Sequence, residues 1–112
     1  MKIGDYVRTK SYGIKKINGF SSTLEEDFID CDYDKYQRVL INKKEVVKSS
    51  PNIIDLIEVG DYVNGHTVKM IKEDKSKIDI GEGEDYFWLR NQDILSIVTK
   101  EQFESMEYKV GD

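Results

Sequence analysis

Residues that could support catalysis are few and scattered in this chain. Cys31 is the single cysteine and His66 the single histidine, and they lie in different halves of the sequence. Nucleophilic catalysis needs a cysteine or serine held beside a base, so we expect no catalytic triad. One cysteine and one histidine also provide too few nitrogen and sulfur ligands for a structural zinc site. We therefore expect a protein that is not an enzyme.

An acidic run offers a candidate metal site. Residues 25–34 contain six carboxylates in ten positions. Asp30, Asp32 and Asp34 have the spacing of the first three ligands of an EF-hand loop, but the glycine and glutamate that this loop requires further along are missing. We therefore expect a solvated strand face and loop, with no bound metal.

A second acidic cluster surrounds two glycines. Gly81 and Gly83 begin a G-x-G pattern, but the third glycine of a dinucleotide-binding loop is absent. Glu82, Glu84 and Asp85 would also repel a phosphate. The segment is predicted to form a flexible turn without a cofactor.

Binding is the remaining class of function, and the charge distribution bears on it. The net charge of −5 disfavours general attraction to nucleic acid or to an anionic membrane. Residues 1–57 carry ten basic and nine acidic side chains, whereas residues 58–112 carry seven and thirteen. The segment from Lys2 to Phe20 has a local charge of +4. The first half therefore offers the better basic surface.

Aromatic residues offer a second means of binding. Tyrosine and tryptophan are enriched at the energetic centres of protein interfaces, and aromatics among basic residues can stack on a single nucleic-acid strand. The candidate binding residues are Tyr6, Arg8, Lys10, Tyr12, Tyr36, Tyr62 and Trp88.

An internal repeat organises the chain. The segment Lys2–Val7 recurs as Glu58–Val63, with Gly-Asp-Tyr-Val in common. Further along, residues 13–17 align with Thr67–Ile71. We interpret these matches as two tandem units, 1–57 and 58–112.

Strand signals dominate both units. Asn64-Gly65 is a strong signal for a tight hairpin turn. In the acidic run, strict alternation places Ile29, Cys31 and Tyr33 on one strand face, which we expect to be the core face.

A short helix is expected at the end of each unit. Thr99 and Gln102 form a capping box that predicts a helix start. Ser50 and Pro51 are typical of the N-cap and first helical position. The predicted fold class is all-β, mainly β with two short helices, arranged as two tandem SH3-like small barrels packed together.

Three segments carry a resemblance to known proteins: Lys2–Thr9, Val46–Gly65 and Ser96–Phe103. They resemble small uncharacterised tandem-repeat proteins of low-GC Gram-positive bacteria and their prophages. The pattern Gly4-Asp5-Tyr6-Val7 followed by residues 13–17 is also similar to the opening strands of KOW and other SH3-like barrels. The resemblance implies a cytoplasmic accessory protein of a bacterial chromosome, prophage or plasmid. No apolar run approaches the roughly 20 residues of a membrane span.

Two functions follow as expectations. The first is a non-catalytic protein–protein interaction module, an inhibitor of a host or defence protein of phage or mobile-element origin. The alternative is a nucleic-acid-binding accessory protein that uses the basic face of the first unit, through Arg8, Lys10, Lys15 and Lys16. A small nucleotide held between the units has no residue pattern behind it.

Overall fold

The computed structural model describes residues 1–32 and 36–106. Its regular structure is mainly antiparallel β, with one short α-helix, so the predicted fold class is confirmed. The chain divides into two units, Met1–Leu56 and Ile57–Asp112. This division lies one residue before the predicted boundary.

Unit 1 is a five-stranded antiparallel sheet. Its strands are β1 (Tyr6–Thr9), β2 (Ile14–Ser22), β3 (Asp27–Asp32), β4 (Arg38–Asn42) and β5 (Val46–Ser50). Their order in the sheet is β4-β3-β2-β1-β5, and a 3-10 turn at Lys43–Glu45 joins β4 to β5. This order is the one expected of an SH3-like barrel. Among the described pairings β4 and β5 are the sheet edges, so closure into a barrel stays a prediction.

Unit 2 has the same sequence of elements in two smaller sheets. Its strands are β6 (Tyr62–Val63), β7 (His66–Thr67), β8 (Met70–Ile71), β9 (Lys77–Asp79), β10 (Trp88–Arg90) and β11 (Ile97–Val98). The sheets have the orders β11-β6-β7 and β10-β9-β8. Where unit 1 has the single long strand β2, unit 2 has the separate strands β7 and β8.

The glycine-aspartate motif of unit 1 forms a turn beside β2. Gly4 has φ +93°, a conformation that glycine adopts without steric cost. Its amide donates to the Ile17 carbonyl at 2.9 Å, and the Ile17 amide donates to the Asp5 carbonyl at 2.8 Å. The Asp5 carboxylate accepts the Lys2 amide at 3.0 Å.

The same turn recurs in unit 2. Gly60 has φ +100°, and its amide donates to the Val68 carbonyl at 3.0 Å. The Val68 amide donates to the Asp61 carbonyl at 2.8 Å, and the Asp61 carboxylate accepts the Glu58 amide at 2.8 Å. The two copies of the motif therefore share one hydrogen-bond pattern.

This pattern corrects the predicted alignment of the flanking residues. It makes Val68 the counterpart of Ile17, whereas the sequence comparison aligned Val68 with Ile14. The error arises because the β1–β2 hairpin is longer than the β6–β7 hairpin, and spacing alone cannot show where the extra residues lie. Residues 109–112, Lys-Val-Gly-Asp, repeat the beginning of the motif a third time in the sequence and lie outside the described residues.

The core of unit 1 lies on one face of its sheet. It consists of Val7, Ile17, Ile29, Cys31 and Ile41. The prediction that Ile29 and Cys31 share the core face is confirmed, because both are fully buried. Tyr33, the third residue of that prediction, lies outside the described residues.

The helix predicted in unit 2 is confirmed as α1 (Lys100–Met106). Thr99 accepts the Gln102 amide through its hydroxyl at 3.2 Å, and its own amide donates to the Gln102 side chain at 3.0 Å. These reciprocal bonds form the predicted capping box. No α-helix in the described part of the chain has the length and apolar character needed to cross a membrane.

The helix predicted in unit 1 is a 3-10 turn at Ile53–Leu56. Ser50 does not cap an α-helix that starts at Pro51. Its hydroxyl instead accepts the Asn52 amide at 3.0 Å and donates to the Asp55 carboxylate at 2.6 Å. These short-range bonds hold the segment in a tight turn, whose last carbonyl contacts β1 as described below.

Candidate binding surface

Arg8, the central residue of the predicted basic face, is buried. Only 2% of its surface is exposed, and its guanidinium donates to the Leu56 carbonyl at 2.9 Å. Strand alternation directs Arg8 away from the core residue Val7, but the turn at Ile53–Leu56 contacts β1. Arg8 therefore links a strand to a turn and is not part of an exposed cationic surface.

The other candidates of unit 1 are dispersed. Tyr12 packs against the core of the unit, and Tyr6 is half-buried with the Lys16 ammonium 6.0 Å from its ring centre. Lys10 and Tyr36 are exposed. Two of the four residues, Tyr6 and Tyr12, are therefore partly packed within the unit, and the other two lie on its surface.

Tyr62, a candidate of unit 2, packs inside that unit. Its ring centre lies 4.7 Å from that of Phe103 on α1, with the ring planes inclined at 30°. Tyr62 is half-buried, and this ring contact joins β6 to the helix.

Trp88, the last candidate, belongs to a cluster that the sequence did not reveal. Its ring is parallel to that of Tyr86, with 6.0 Å between the centres and 2° between the planes. Lys72 and Lys77 each place an ammonium 5.8 Å from the Trp88 ring centre. The Lys69 ammonium lies at the same distance from the Tyr86 ring centre.

A buried carboxylate fixes the loop that presents these rings. Asp79, on β9, accepts the Gly81 amide at 2.8 Å and the Phe87 amide at 2.9 Å through one oxygen. Burial alone raises the pKa of Asp79, but these two amides and the nearby Lys69 ammonium outweigh it, and the pKa lies below its ordinary value. Asp79 is therefore ionised at neutral pH and holds both ends of the loop.

Lys69 fixes the middle of the same loop. Its ammonium donates to the carbonyls of Gly83 at 2.9 Å and Asp85 at 3.0 Å, and lies 3.8 Å from the Asp79 carboxylate. The expected turn is present, since the Asp85 amide donates to the Glu82 carbonyl at 3.0 Å. The loop is thus bonded at both ends and in the middle.

Gly81 is required because the backbone of the loop approaches itself closely at this position. A Cβ atom at this position would overlap the Asp85 carbonyl and the Phe87 amide. Both of these are backbone atoms, so the overlap cannot be relieved by turning a side chain.

A cleft of about 500 Å³ lies beside this loop. It is lined by Asn64, His66, Ile80, Gly81, Glu82, Asp85, Tyr86 and Phe87. At its rim, Tyr86 and Phe87 are 65% and 59% exposed. His66 lies 3.8 Å from the Glu82 carboxylate.

The floor of the cleft is held by Asn64. The predicted Asn64-Gly65 hairpin turn is confirmed, since both residues have positive φ. The Asn64 amide group donates to the Asp93 carbonyl and accepts the amides of Leu95 and Ser96. The hairpin is therefore tied to the segment that precedes β11.

The sequence did contain one signal for this site. In the run Phe87-Trp88-Leu89, alternate residues must face opposite sides of the strand. Leu89 enters the core and Phe87 reaches the cleft, while Trp88 lies on the other face. The two lysines beside it are Lys72, which follows β8, and Lys77 on β9, and only the strand pairing brings them to Trp88.

The acidic run of unit 1 forms ordinary surface contacts. Asp30 and Asp32 lie 3.4 Å and 4.0 Å from the Arg38 guanidinium. Asp34 lies outside the described residues. Within residues 1–32 and 36–106, no three histidine, cysteine or acidic side chains are grouped closely enough to hold a metal ion.

In comparisons with known proteins, no family model, no curated protein and no solved structure matches this chain.

Proposed function

We propose that this chain is a non-catalytic binding module and that the cleft of unit 2 receives a protein partner. The observation that carries the proposal is the pair of exposed aromatic rings, Tyr86 and Phe87, on a loop that is bonded in place beside the cleft. A ring that is already ordered loses little conformational freedom on binding, which favours affinity. Aromatic residues beside a pocket are typical of interface hot spots.

Two findings support a role without catalysis. Cys31 is fully buried, and burial, followed by the neighbouring Asp30, raises its pKa to about 11. A protonated, inaccessible thiol is a poor nucleophile. His66 is the single imidazole of the chain, and its described ionic neighbour is the exposed Glu82.

We further propose that the two units arose as a tandem repeat. The shared turn hydrogen bonds at Gly4 and Gly60 support it, as does the common order of strands. From the resemblance to prophage proteins we propose that the chain is an inhibitor or adaptor of phage or mobile-element origin. It would act on a host or defence protein in the cytoplasm.

The alternative of nucleic-acid binding through the basic face of unit 1 has less support. Arg8 is committed to the Leu56 carbonyl, and Tyr12 packs on the core. The exposed Lys16 lies 6.0 Å from the ring centre of the half-buried Tyr6. In the described residues this is one lysine beside one ring, whereas Trp88 has two lysines and a parallel tyrosine ring.

The test is capture of partners from nuclease-treated lysate of a low-GC Gram-positive host by the tagged full-length protein. We expect one protein to be recovered reproducibly, and we expect Phe87→Ser to abolish its recovery. Because the Phe87 side chain is exposed and its backbone bonds remain, this variant should keep the wild-type melting temperature.

Leu95→Ser is the matched control. Leu95 is also an apolar residue of unit 2 and is 88% exposed, but it does not line the cleft. This variant should capture the partner as the wild type does. Equal recovery by the wild type, Phe87→Ser and Leu95→Ser would place the binding surface elsewhere and refute the proposal.

A further inference from the structure

The outer face of the β8-β9-β10 sheet carries a second surface, which shares Tyr86 with the rim of the cleft. The pairings align Met70 with Asp79 and Trp88, and Lys77 with Arg90. The intervening positions, Ile71, Ile78 and Leu89, form the opposite, inward face. We name the outer surface the tryptophan face and define it by Lys72, Lys77, Tyr86, Trp88 and Arg90.

Two lysines of this face are directed at an aromatic ring. The ammonium groups of Lys72 and Lys77 both lie 5.8 Å from the Trp88 ring centre. In the described part of the chain, neither ammonium has a carboxylate within 4.0 Å. Their charge is therefore available to an incoming anion.

Three acidic residues near this face, Asp93, Asp79 and Asp74, have partners of their own. Arg90 lies 3.8 Å from Asp93, whose carboxylate also accepts the Arg90 amide. Asp79 is buried and is held by two loop amides and Lys69. The Asp74 carboxylate accepts the Ser76 hydroxyl. This bond lowers the pKa of Asp74, and the nearby Lys72 ammonium contributes to the same shift. The face thus presents cations although unit 2 as a whole is acidic.

The rings of this face are held in defined positions. Trp88 is half-buried on β10, and Tyr86 lies parallel to it on the bonded loop. Parallel aromatic planes among lysines are the arrangement that binds single-stranded nucleic acid, because bases stack on the rings and the lysines neutralise phosphates. An acidic peptide would use the lysines but would leave the rings without planar partners.

We propose that the tryptophan face binds single-stranded nucleic acid, with bases stacked on Trp88 and Tyr86 and phosphates neutralised by Lys72 and Lys77. A duplex should bind more weakly, since its bases are already stacked on one another. This activity lies beyond the proposed protein-binding role of the cleft and centres on Trp88, which does not line the cleft.

The single tryptophan of the chain makes a direct measurement feasible. We would titrate the full-length protein with a thymidine oligonucleotide of about 20 nucleotides and record tryptophan emission together with the anisotropy of the labelled strand. We expect emission to fall as anisotropy rises. Trp88→Leu should weaken binding about tenfold or more, the loss typical of one stacked base.

The lysines are tested by their salt dependence. For single strands the slope of log affinity against log salt is about −0.7 for each neutralised phosphate. Lys72→Gln/Lys77→Gln should therefore weaken binding and make the slope shallower by about 1.4. Lys10→Gln/Lys16→Gln removes the same charge from exposed positions of unit 1 and should leave both affinity and slope unchanged.

Three kinds of result would overturn the inference. The first is the absence of the expected complex, seen either as no binding at low salt or as binding without a change in Trp88 emission. The second is that Lys10→Gln/Lys16→Gln loses as much affinity as Lys72→Gln/Lys77→Gln, which would locate the binding site on the basic face of unit 1. The third is an equal response to polyglutamate, which would show that the face recognises acidic polypeptides. Phe87→Ser should bind the oligonucleotide normally, which separates this site from the cleft.

Discussion

Among single residues, Cys31 gives the clearest chemical prediction. Its side chain is fully buried on β3, and burial together with Asp30 raises its pKa from 9.0 to about 11. At a given pH below these values the native thiol is ionised about a hundredfold less often than a thiol with the ordinary pKa. We expect a thiol reagent at pH 8 to modify Cys31 slowly in the native protein and rapidly in denaturant.

The same shift sets a pH dependence. The pKa of Cys31 is higher in the folded protein than in the unfolded chain. The contribution of Cys31 to the free energy of unfolding is therefore fully present below pH 9 and is lost as the pH rises towards 11. Cys31→Ala should lack this alkaline loss, which denaturant unfolding at pH 8 and pH 10.5 would reveal. Rapid labelling of native protein, at the rate seen in denaturant, would show that the thiol is exposed.

Arg8 shows the limit of prediction for a single residue. Its charge, and its position between Tyr6 and Lys10, are typical of an exposed basic surface. The residue is buried because a turn some 45 residues later in the chain supplies the Leu56 carbonyl. No local pattern encodes that contact, so the sequence could place Arg8 on β1 but could not show what covers it.

The loop between β9 and β10 is the element on which both proposed surfaces depend. Asp79 binds the amides of Gly81 and Phe87, so we expect Asp79→Ala to lower the free energy of unfolding by roughly 2–3 kcal/mol at pH 7. Asp85→Ala removes an exposed carboxylate from the same loop and should change stability by less than about 0.5 kcal/mol. Denaturant unfolding of the three proteins measures both effects.

The Asp79 effect should depend on pH. Its folded pKa is lowered, so its stabilisation is present above the unfolded value of about 4 and is lost as the pH falls through the folded pKa. The difference between wild type and Asp79→Ala should therefore narrow below about pH 4. A difference that stays constant from pH 7 to pH 3 would mean that the ionised carboxylate does not hold the loop.

Local sequence signals predicted two elements correctly and a third wrongly. The Asn64-Gly65 hairpin and the Thr99 capping box each depend on residues within four positions of one another. The segment after Ser50 has equally good helix-start residues, but its side chains bond to one another and close a 3-10 turn. Propensity alone does not distinguish these two outcomes.

For the whole molecule, the mainly β class follows from alternation and turn signals, whereas the location of the binding surface does not. Average charge indicated unit 1 as the cationic half, but the structure gathers lysines around Trp88 in the acidic unit 2. That cluster combines Lys77 on β9, Trp88 on β10, Lys72 just after β8 and Tyr86 on a loop. The separation of these residues in sequence hides the cluster. Charge averaged over a unit therefore predicts net behaviour and not the location of a patch.

The central claim, that the cleft of unit 2 receives a protein partner, is tested most directly by photocrosslinking in a low-GC Gram-positive host. Phe87 would be replaced by benzoylphenylalanine, and Phe20, an exposed phenylalanine of unit 1, would be replaced in the same way as a control. We predict a light-dependent protein adduct at position 87 that survives nuclease and is absent at position 20. No adduct at position 87, or the same adduct at both positions, would contradict the account.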